Sequence, residues 1–206
     1  MNSNGANYLY HANNATVELT VVGVSYSPGG GGARLAYTIV PWELGLILIG
    51  ATTHGICWLG IHECAAYLES ELNADFPQAK IVHDDGALRE LAARVIAFIG
   101  SNRAFLYLPV DIRATSFQLA VWRELCLIPP GATRSYNEIA HRLGKRGGAR
   151  AVGRANGSNP LAVLIPCHRA VGADGRLTGY RWGLEYKRRL LEYERSFPNS
   201  QSTHHL

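Results

Sequence analysis

Hydrophobic residues in the first half of the chain recur in short runs and at helical spacing. Two apolar runs with glycines beside them favour a hairpin, two stretches with apolar residues every three or four positions favour helices, and a last apolar run favours a strand. The hairpin runs lie at 44–49 and 55–61, the helical stretches at 62–72 and 88–99, and the last strand at 106–110. The pattern predicts a sheet-plus-helices domain over residues 34–111.

The second half has helical character with clear start and stop signals. Ser116 is a capping residue ahead of a helix that is broken by the Ile128-Pro129-Pro130-Gly131 run. Ser135 and Glu138 have the spacing of a capping box, and the helix that they begin stops at Gly144.

A further helix over 148–155 completes a helix-turn-helix shape, and an apolar-periodic helix is predicted over 184–193. We therefore expect a second, helical domain over residues 112–196. The fold class that follows is mixed α/β, with the sheet first and the helices after it.

Residues 1–33 are rich in Asn and Gly and include the run Pro28-Gly29-Gly30-Gly31-Gly32. Such composition predicts a flexible linker, with a short strand over 17–26 as its only ordered part. Residues 197–206 are predicted to be a disordered tail.

The positions of the charged residues are more informative than the net charge. The charged fraction is 17% and the net charge is +4, which permits nucleic-acid binding without establishing it. One short stretch, which contains Glu138 as its one acidic residue, holds six basic residues: Arg134, Arg142, Lys145, Arg146, Arg150 and Arg154. This cluster is either a solvated basic face or a surface for phosphates.

Four cysteines, at 57, 64, 126 and 167, are too few and too scattered for a disulfide scaffold. The polar start does not resemble a signal peptide, and no apolar run approaches a membrane span. We expect a cytoplasmic protein with reduced thiols, no membrane association, and neither a cofactor nor a metal, since four ligands at tetrahedral-site spacing are not evident.

The stretch Ile165-Pro166-Cys167-His168-Arg169 carries the strongest chemical signal. A free thiol is mostly protonated at neutral pH, and a neighbouring base with cationic charge turns it into a nucleophile. Pro166 fixes φ just before Cys167, which suits a turn that presents the sulfur at a defined angle. The other three cysteines have mainly apolar neighbours, which is typical of inert buried thiols.

Several separated motifs, in order, resemble the O6-alkylguanine-DNA alkyltransferases, also called methylated-DNA–protein-cysteine methyltransferases, and most of all the C-terminal half of Ada-type proteins. The likeness runs from about Ala36 to about Glu194. Its motifs are Phe117-Gln118-Leu119-Ala120-Val121-Trp122, Ile128-Pro129-Pro130-Gly131, Ser135-Tyr136, Ala149-Arg150-Ala151-Val152-Gly153, Asn159, Pro166-Cys167-His168-Arg169 and Gly179-Tyr180-Arg181-Trp182-Gly183.

The resemblance implies an RNase H-like first domain and a winged-helix-like second domain that carries the active-site cysteine. It implies a single-turnover DNA repair protein that moves a methyl group from guanine O6, less readily from thymine O4, onto Cys167. The expected partner is double-stranded DNA, bound through its minor groove with the damaged base extruded, and the expected state is a monomer. In some relatives the first domain binds zinc, but this chain has Thr52 and Cys57 where two of those ligands would lie.

The resemblance also implies a role for each motif residue near the cysteine. His168 would be the base and Glu194 its acidic partner, although from the sequence alone Glu192 is equally plausible. Arg169 is expected to support the active-site turn. Three further residues are expected to shape the pocket: Asn159 holds the turn before the cysteine, Tyr180 assists the leaving guanine, and Trp182 narrows the site to small alkyl groups.

The resemblance also implies two roles in DNA binding. Arg150 would be a finger residue that fills the gap left in the base stack by the extruded base. The aromatic ring of Tyr136 would crowd the phosphate. Ala149, Ala151 and Gly153 would let the helix approach the minor groove closely. At two positions, Arg154 and Asn156, the chain departs from the family, which more often has small or apolar residues there.

Two other functional readings remain open at this point. One is a lesion sensor that binds alkylated DNA without repairing it, or a fragment of an Ada-type regulator whose regulatory half is missing or encoded elsewhere. Sensors of this kind replace the cysteine, whereas Cys167 is present. The other is a cysteine hydrolase, which would need an oxyanion hole and a distant histidine.

Overall fold

The computed structural model describes residues 6–12, 15–21, 26–100 and 106–197. The chain divides into two compact units. The first is built mainly from residues 26–113 and the second mainly from residues 114–197, while the segment Pro160–Leu164 belongs to the first unit.

Most of the first unit is built on a sheet whose seven described strands follow the order β1-β2-β7-β5-β4-β3-β6. Strands β3, β4 and β5 form an antiparallel meander, whereas β6 runs parallel to β3 and β7 parallel to β5. The strands are β1 Ala6–Ala12, β2 Ala15–Val21, β3 Arg34–Trp42, β4 Gly45–Thr52, β5 Gly55–His62, β6 Lys80–His83 and β7 Leu106–Val110.

Two helices complete this unit, α1 Ala65–Asp75 and α2 Asp85–Ile99. The predicted hairpin is therefore β4–β5, and both predicted helices and the strand at 106–110 are confirmed, although the helix predicted over 62–72 begins later, at Ala65, because His62 ends β5. Seven of the eight residues of β5 are buried, as expected for a central strand covered on both faces. Trp58 on this strand is fully buried, and its indole N–H donates to the Asp75 carboxylate at 2.7 Å.

The strand predicted over 17–26 overlaps β2, whereas the flexible linker predicted for the rest of residues 1–33 differs from the structure, which also has strand β1 and a 3-10 turn over Pro28–Gly30. Glycine here serves close packing. Gly30 is buried with φ of 81°, and a Cβ on it would lie 2.9 Å from the Phe76 ring. Most of the predicted tail, residues 198–206, lies outside the described residues.

The described residues of the second unit form four α-helices, a 3-10 turn and a two-stranded parallel pair. The helices are α3 Ser116–Cys126, α4 Tyr136–Arg142, α5 Ala149–Gly157 and α6 Leu184–Arg195, and the pair is β8 Arg134–Ser135 with β9 Ala170–Val171. The capping box at Ser135 and Glu138 is confirmed. Ser116 is not the cap of α3, because Thr115 and Gln118 form a capping box one residue earlier.

Two glycines make the turn between α4 and α5, Gly144 with φ of 67° and Gly147 with φ of 75°. They end α4 and let α5 pack back against it, which gives the helix-turn-helix shape expected from the sequence. No helix in the described residues has the length and apolar character needed to cross a membrane.

Candidate active site

The segment that leads to Cys167 is fixed to strand β5 of the first unit. The Leu59 N–H donates to Pro160 O at 2.8 Å, and the Ala162 N–H donates to Leu59 O at 3.0 Å. Leu164 N–H then bonds to Ala162 O at 2.7 Å and closes a γ-turn on Val163, whose φ is 67°. A β-branched residue in this conformation stores about 1–3 kcal/mol of strain, so the surrounding contacts must hold it.

Pro166 makes a second γ-turn, directly before the cysteine. Its φ of −79° and ψ of 62° are those of an inverse γ-turn, closed by Cys167 N–H to Ile165 O at 2.7 Å. A 3-10 turn over Cys167–Arg169 follows. The turn predicted from Pro166 is therefore confirmed, and it fixes the direction in which the Cys167 side chain leaves the backbone.

Asn159 connects the turn to the sulfur itself. Its buried side-chain amide donates to Ile165 O at 2.8 Å and to Cys167 Sγ at 3.1 Å. The first bond holds the turn, as the resemblance implies. The second contacts the candidate nucleophile, and an N–H aimed at sulfur favours negative charge on it.

Cys167 is 6% exposed, and burial raises the pKa of its thiol. The Asn159 amide, the Lys187 ammonium and the backbone N–H groups of Cys167 and His168 oppose that rise without cancelling it. The thiol is therefore protonated at rest near neutral pH, and a base must remove its proton when it reacts.

His168 is completely buried, and its Nε2 lies 2.9 Å from Glu194 Oε1. Burial lowers the pKa of His168, although the nearby Glu194 carboxylate opposes the effect. Burial by itself would raise the pKa of Glu194, but the charges and hydrogen bonds of His168 and Arg169 outweigh burial and hold that pKa below its usual range. The pair at rest is thus a neutral imidazole beside an ionised carboxylate.

These charge states determine the tautomer of the imidazole. Because the Glu194 carboxylate carries no proton, Nε2 of His168 must donate, and Nδ1 keeps its lone pair. Nδ1 is buried and has no hydrogen-bond partner among the described residues. His168 therefore offers one basic nitrogen at the residue next to the thiol.

Two further groups hold the Glu194 carboxylate. Arg169 donates to both carboxylate oxygens, with Nη2 2.6 Å from Oε1, and its Nη1 also donates to Ile128 O. The Gly131 N–H donates to Oε2 at 2.9 Å from a backbone with φ of 74°. The Ile128–Gly131 turn thus supplies two groups to this network, which explains its glycine.

Glu192 has a different environment from Glu194. It is half exposed, and its carboxylate accepts from Arg188 at 2.5 Å on the surface of α6. Of the two acids that the sequence left open, the structure brings Glu194 to His168.

Tyr180 and Trp182 lie on the loop before α6. The Tyr180 ring meets the His168 ring edge-on, at 6.5 Å between centroids. Its hydroxyl is buried without a partner among the described residues, and burial together with Cys167 and Glu194 raises its pKa well above the usual value. Trp182 is buried, with the Arg181 guanidinium over its ring at 5.2 Å.

Lys187 is a residue of this site that the sequence reading missed. It is fully buried on α6, and its ammonium acts on the Cys167 thiol. The available signal was its spacing, because Lys187 falls seven residues before Glu194 and so shares the buried stripe of the helix.

The helix α5 presents an open face with two arginines. Arg150 and Arg154 are exposed four residues apart, and nothing lies within 4 Å of where a Cβ on Gly153 would be. Ala149 and Ala151 are partly exposed beside them. Asn156, in contrast, lies on the buried face.

Two basic residues of the cluster are already neutralised in part. Glu124 accepts hydrogen bonds from Arg134, at 3.2 Å, and from Arg142. Lys145, Arg146, Arg150 and Arg154 form no ion pair among the described residues. The charge available to a ligand therefore lies around the α4–α5 turn and on α5.

The other cysteines have no such surroundings. Cys57 and Cys126 are buried with raised thiol pKa values, about 12 for Cys126, mainly because of burial. Cys64 is exposed. Within the part of the chain that the structure describes, no group of three or more His, Cys, Asp or Glu could hold a metal ion.

The site thus places a buried thiol next to a carboxylate-bound imidazole, in a unit that contains a helix-turn-helix shape. Residues 116–196 match the family described as 6-O-methylguanine DNA methyltransferase, DNA binding domain. The match covers Cys167 and all the side chains described around it, from Ile128 to Glu194.

Curated relatives extend the likeness beyond that domain. The methylated-DNA–protein-cysteine methyltransferase of Methanosarcina barkeri is 38% identical over 77% of this chain and 96% of its own length. The bifunctional transcriptional activator/DNA repair enzyme Ada of Escherichia coli is 41% identical over 81% of this chain and 47% of its own length. The chain thus spans about half the length of the Ada relatives that it matches.

The chain is also similar to solved structures. The crystal structure of Mycobacterium tuberculosis OGT in complex with DNA has a TM-score of 0.64 and 36% identity, and covers 80% of this chain and 96% of the other. The chain belongs to the methylated-DNA–protein-cysteine methyltransferase family.

Proposed function

We propose that this protein repairs DNA by moving a methyl group from O6 of guanine, and less readily from O4 of thymine, onto Cys167. One observation carries the proposal: the Cys167 sulfur is held by Asn159 at 3.1 Å, next to a neutral His168 that an ionised Glu194 orients at 2.9 Å. Family membership supports the choice of substrate.

The reaction forms one bond to sulfur and breaks one bond to oxygen. The thiol proton passes to Nδ1 of His168 as the sulfur attacks the methyl carbon, and the resulting imidazolium is stabilised by Glu194. The carbon–oxygen bond breaks with its electron pair going to guanine, and the guanine anion takes up one proton as the imidazolium gives back the proton that it received from the thiol. Because no tetrahedral anion forms, the site needs no oxyanion hole.

Tyr180 is the proposed donor to the leaving guanine. Its raised pKa keeps the hydroxyl protonated, and that hydroxyl has no partner among the described residues, so it can hydrogen-bond an incoming base. The product is an S-methyl thioether, which has no thiol proton to give up and keeps its methyl group, because the thiolate does not leave from an unactivated thioether. Each molecule therefore reacts once.

DNA is the proposed partner, bound through α5 and the turn before it. The open face around Gly153 allows close approach to a minor groove, and Arg150 projects from the same helix. The damaged base must leave the stack to meet a buried sulfur, and weakened pairing lowers that cost. Buried Trp182 favours small alkyl groups by narrowing the pocket.

Replacing Arg150 by alanine should slow transfer most on a well-paired duplex. If Arg150 fills the gap in the stack, its loss removes a few kcal/mol of support for extrusion, or about 10- to 100-fold in rate. The defect should shrink on single-stranded DNA and on free O6-methylguanine. Single-turnover rates on the three substrates check this, and an equal slowing on all three would contradict the finger role.

Lys145→Ala is the matched control for lost charge. Lys145 is exposed, whereas Arg142 is engaged by Glu124, so Lys145 is the cleaner choice. Its removal should weaken binding about equally for all sequences and reduce the slope of log affinity against log salt by about one.

The proposed function also includes action as a monomer in the cytoplasm, where thiols stay reduced. The experiment that tests the function is a stoichiometry measurement. A duplex with one O6-methylguanine is incubated in excess over protein, and restored guanine is counted. One guanine per protein molecule supports the proposal, and repeated turnover or no restoration refutes it.

A further inference from the structure

Helix α5 carries a second exposed arginine, Arg154, to which the proposed function gives no role. It lies four residues after Arg150, so the two side chains leave the helix on the same face, about 6 Å apart along its axis. Gly153 stands beside Arg154, and nothing lies within 4 Å of where a Cβ on this glycine would be. No ion pair of the described residues involves Arg154, and α5 itself contains no acidic residue.

The end of α5 that carries Arg154 is fixed to α3. The Trp122 indole N–H donates to Ala155 O at 2.8 Å, and Gln118 Nε2 donates to the Ser158 hydroxyl at 2.7 Å. The Ser158 hydroxyl donates in turn to Ala155 O at 3.0 Å. The guanidinium of Arg154 is therefore presented from a backbone that hydrogen bonds hold in place, which lowers the entropy that binding has to overcome.

The minor groove of DNA offers a guanidinium different contacts at the two kinds of base pair. A·T pairs present only acceptors there, adenine N3 and thymine O2, whereas a G·C pair adds the 2-amino group of guanine, which is a donor. Arginine has five donors and no acceptor, so it matches the A·T pattern and opposes the amino group. Stretches of A·T pairs also have a narrower and more negative groove, which attracts arginine. An arginine that lies in the groove therefore favours A·T pairs.

Two simpler uses of Arg154 would give no such preference. A positive side chain in the last turn of a helix stabilises the helix through its dipole, and lysine does this equally well. An arginine that contacts phosphates carries no sequence information directly. The position of Arg154 favours the groove instead. Because Arg150 is proposed to enter the base stack from the minor groove, a side chain on the same face one turn away lies over the groove and not over the phosphates.

We propose that Arg154 contacts base edges in the minor groove and gives the protein a preference for A·T pairs about two base pairs from the methylated guanine. The position follows from the separation of Arg150 and Arg154 along α5 and from the spacing of about 3.4 Å between base pairs. This role rests on the proposed function and adds a sequence preference to it.

The test uses duplexes with one O6-methylguanine, in which each of the three pairs on either side is changed in turn from G·C to inosine·C. Inosine lacks the 2-amino group of guanine, so the exchange gives the minor groove the acceptor-only pattern of an A·T pair and leaves the major groove as it was. Affinity is measured by titration, with every protein compared in the Cys167→Ala background so that no transfer takes place. Methyl transfer by the wild type is measured on the same duplexes in parallel.

The variants are Arg154→Ala and Arg154→Lys, and Arg146→Ala is the matched control, an exposed arginine in the turn before α5. With Arg154 present, inosine at one or two adjacent pairs on a single side of the lesion should tighten binding about 5- to 30-fold. Arg154→Ala should lose this gain. Arg154→Lys should keep the slope of log affinity against log salt but lose most of the gain, because an ammonium is a more strongly hydrated point charge. Arg146→Ala should weaken binding to all duplexes alike and keep the gain.

Three results would overturn the role of Arg154. One is a gain that survives in Arg154→Ala, because it would then come from the DNA itself. Another is the absence of any gain when Arg154 is present. The third is an affinity loss in Arg154→Ala that is equal on every duplex, which indicates a phosphate contact. Because affinity is measured without transfer, these results test Arg154 alone, whereas failure of the wild type to transfer a methyl group would refute only the proposed function.

Discussion

Cys167→Ala should abolish methyl transfer completely and leave DNA binding essentially unchanged. In the proposed reaction only the sulfur is consumed, and the exposed arginines of α5 that would meet the DNA are untouched. The change also removes little volume from a site that is 6% exposed. Transfer is measured on a duplex with one O6-methylguanine, and binding by titration of the same duplex.

The matched controls are the other cysteines of differing exposure. Cys126→Ala removes a buried thiol of the same unit, and Cys64→Ala removes an exposed one. Both should transfer at nearly the wild-type rate. Retained repair by Cys167→Ala would refute the assignment of the nucleophile.

His168→Gln should slow transfer by about 10²–10⁴-fold, the usual contribution of a positioned general base. The ion pair of Glu194 with Arg169 remains in this variant, so the loss reports chemistry more than folding. The pKa of Cys167 is raised, so the thiol ionises unaided only at high pH. The deficit should therefore shrink as pH rises, and single-turnover rates across pH measure this. A deficit independent of pH would argue against His168 as the base.

Glu194→Gln should slow transfer over a similar range and also destabilise the fold, since it leaves the buried Arg169 charge without its carboxylate. Removing one partner of a buried pair costs about 3–5 kcal/mol. Glu192→Gln alters only an exposed pair with Arg188, where such pairs are worth about 0–1 kcal/mol. Equal rates for the two variants would show that Glu194 does not orient His168.

Local patterns predicted most elements well. The β4–β5 hairpin, the long helix of the first unit and the Ser135 capping box follow from periodicity and capping chemistry, which act over a few residues. The Pro28–Gly32 run was misread because composition cannot tell a mobile glycine from one that lets Gly30 pack on Phe76. That distinction depends on contacts between residues far apart in sequence.

The candidate site likewise has some features that the local sequence predicts and others that depend on tertiary packing. Adjacent Cys167 and His168 are visible in the sequence, and the turn at Pro166 follows from its fixed φ. The choice between Glu192 and Glu194 needed the fold, since helix position alone does not show which acid meets a histidine twenty-six residues before it. The bond from Asn159 to the sulfur and the burial of Lys187 also depend on tertiary packing.

The central claim is that a methyl group ends on one sulfur of this chain. Intact-mass analysis after incubation with methylated duplex, followed by peptide mapping, tests it most directly. The account predicts that every protein molecule gains the mass of one CH2 group, because a methyl group replaces the thiol hydrogen, and that the gain lies in the peptide with Cys167. The methylated protein should transfer no further methyl group. An unchanged mass with repaired DNA, or a methyl group on any other residue, would contradict it.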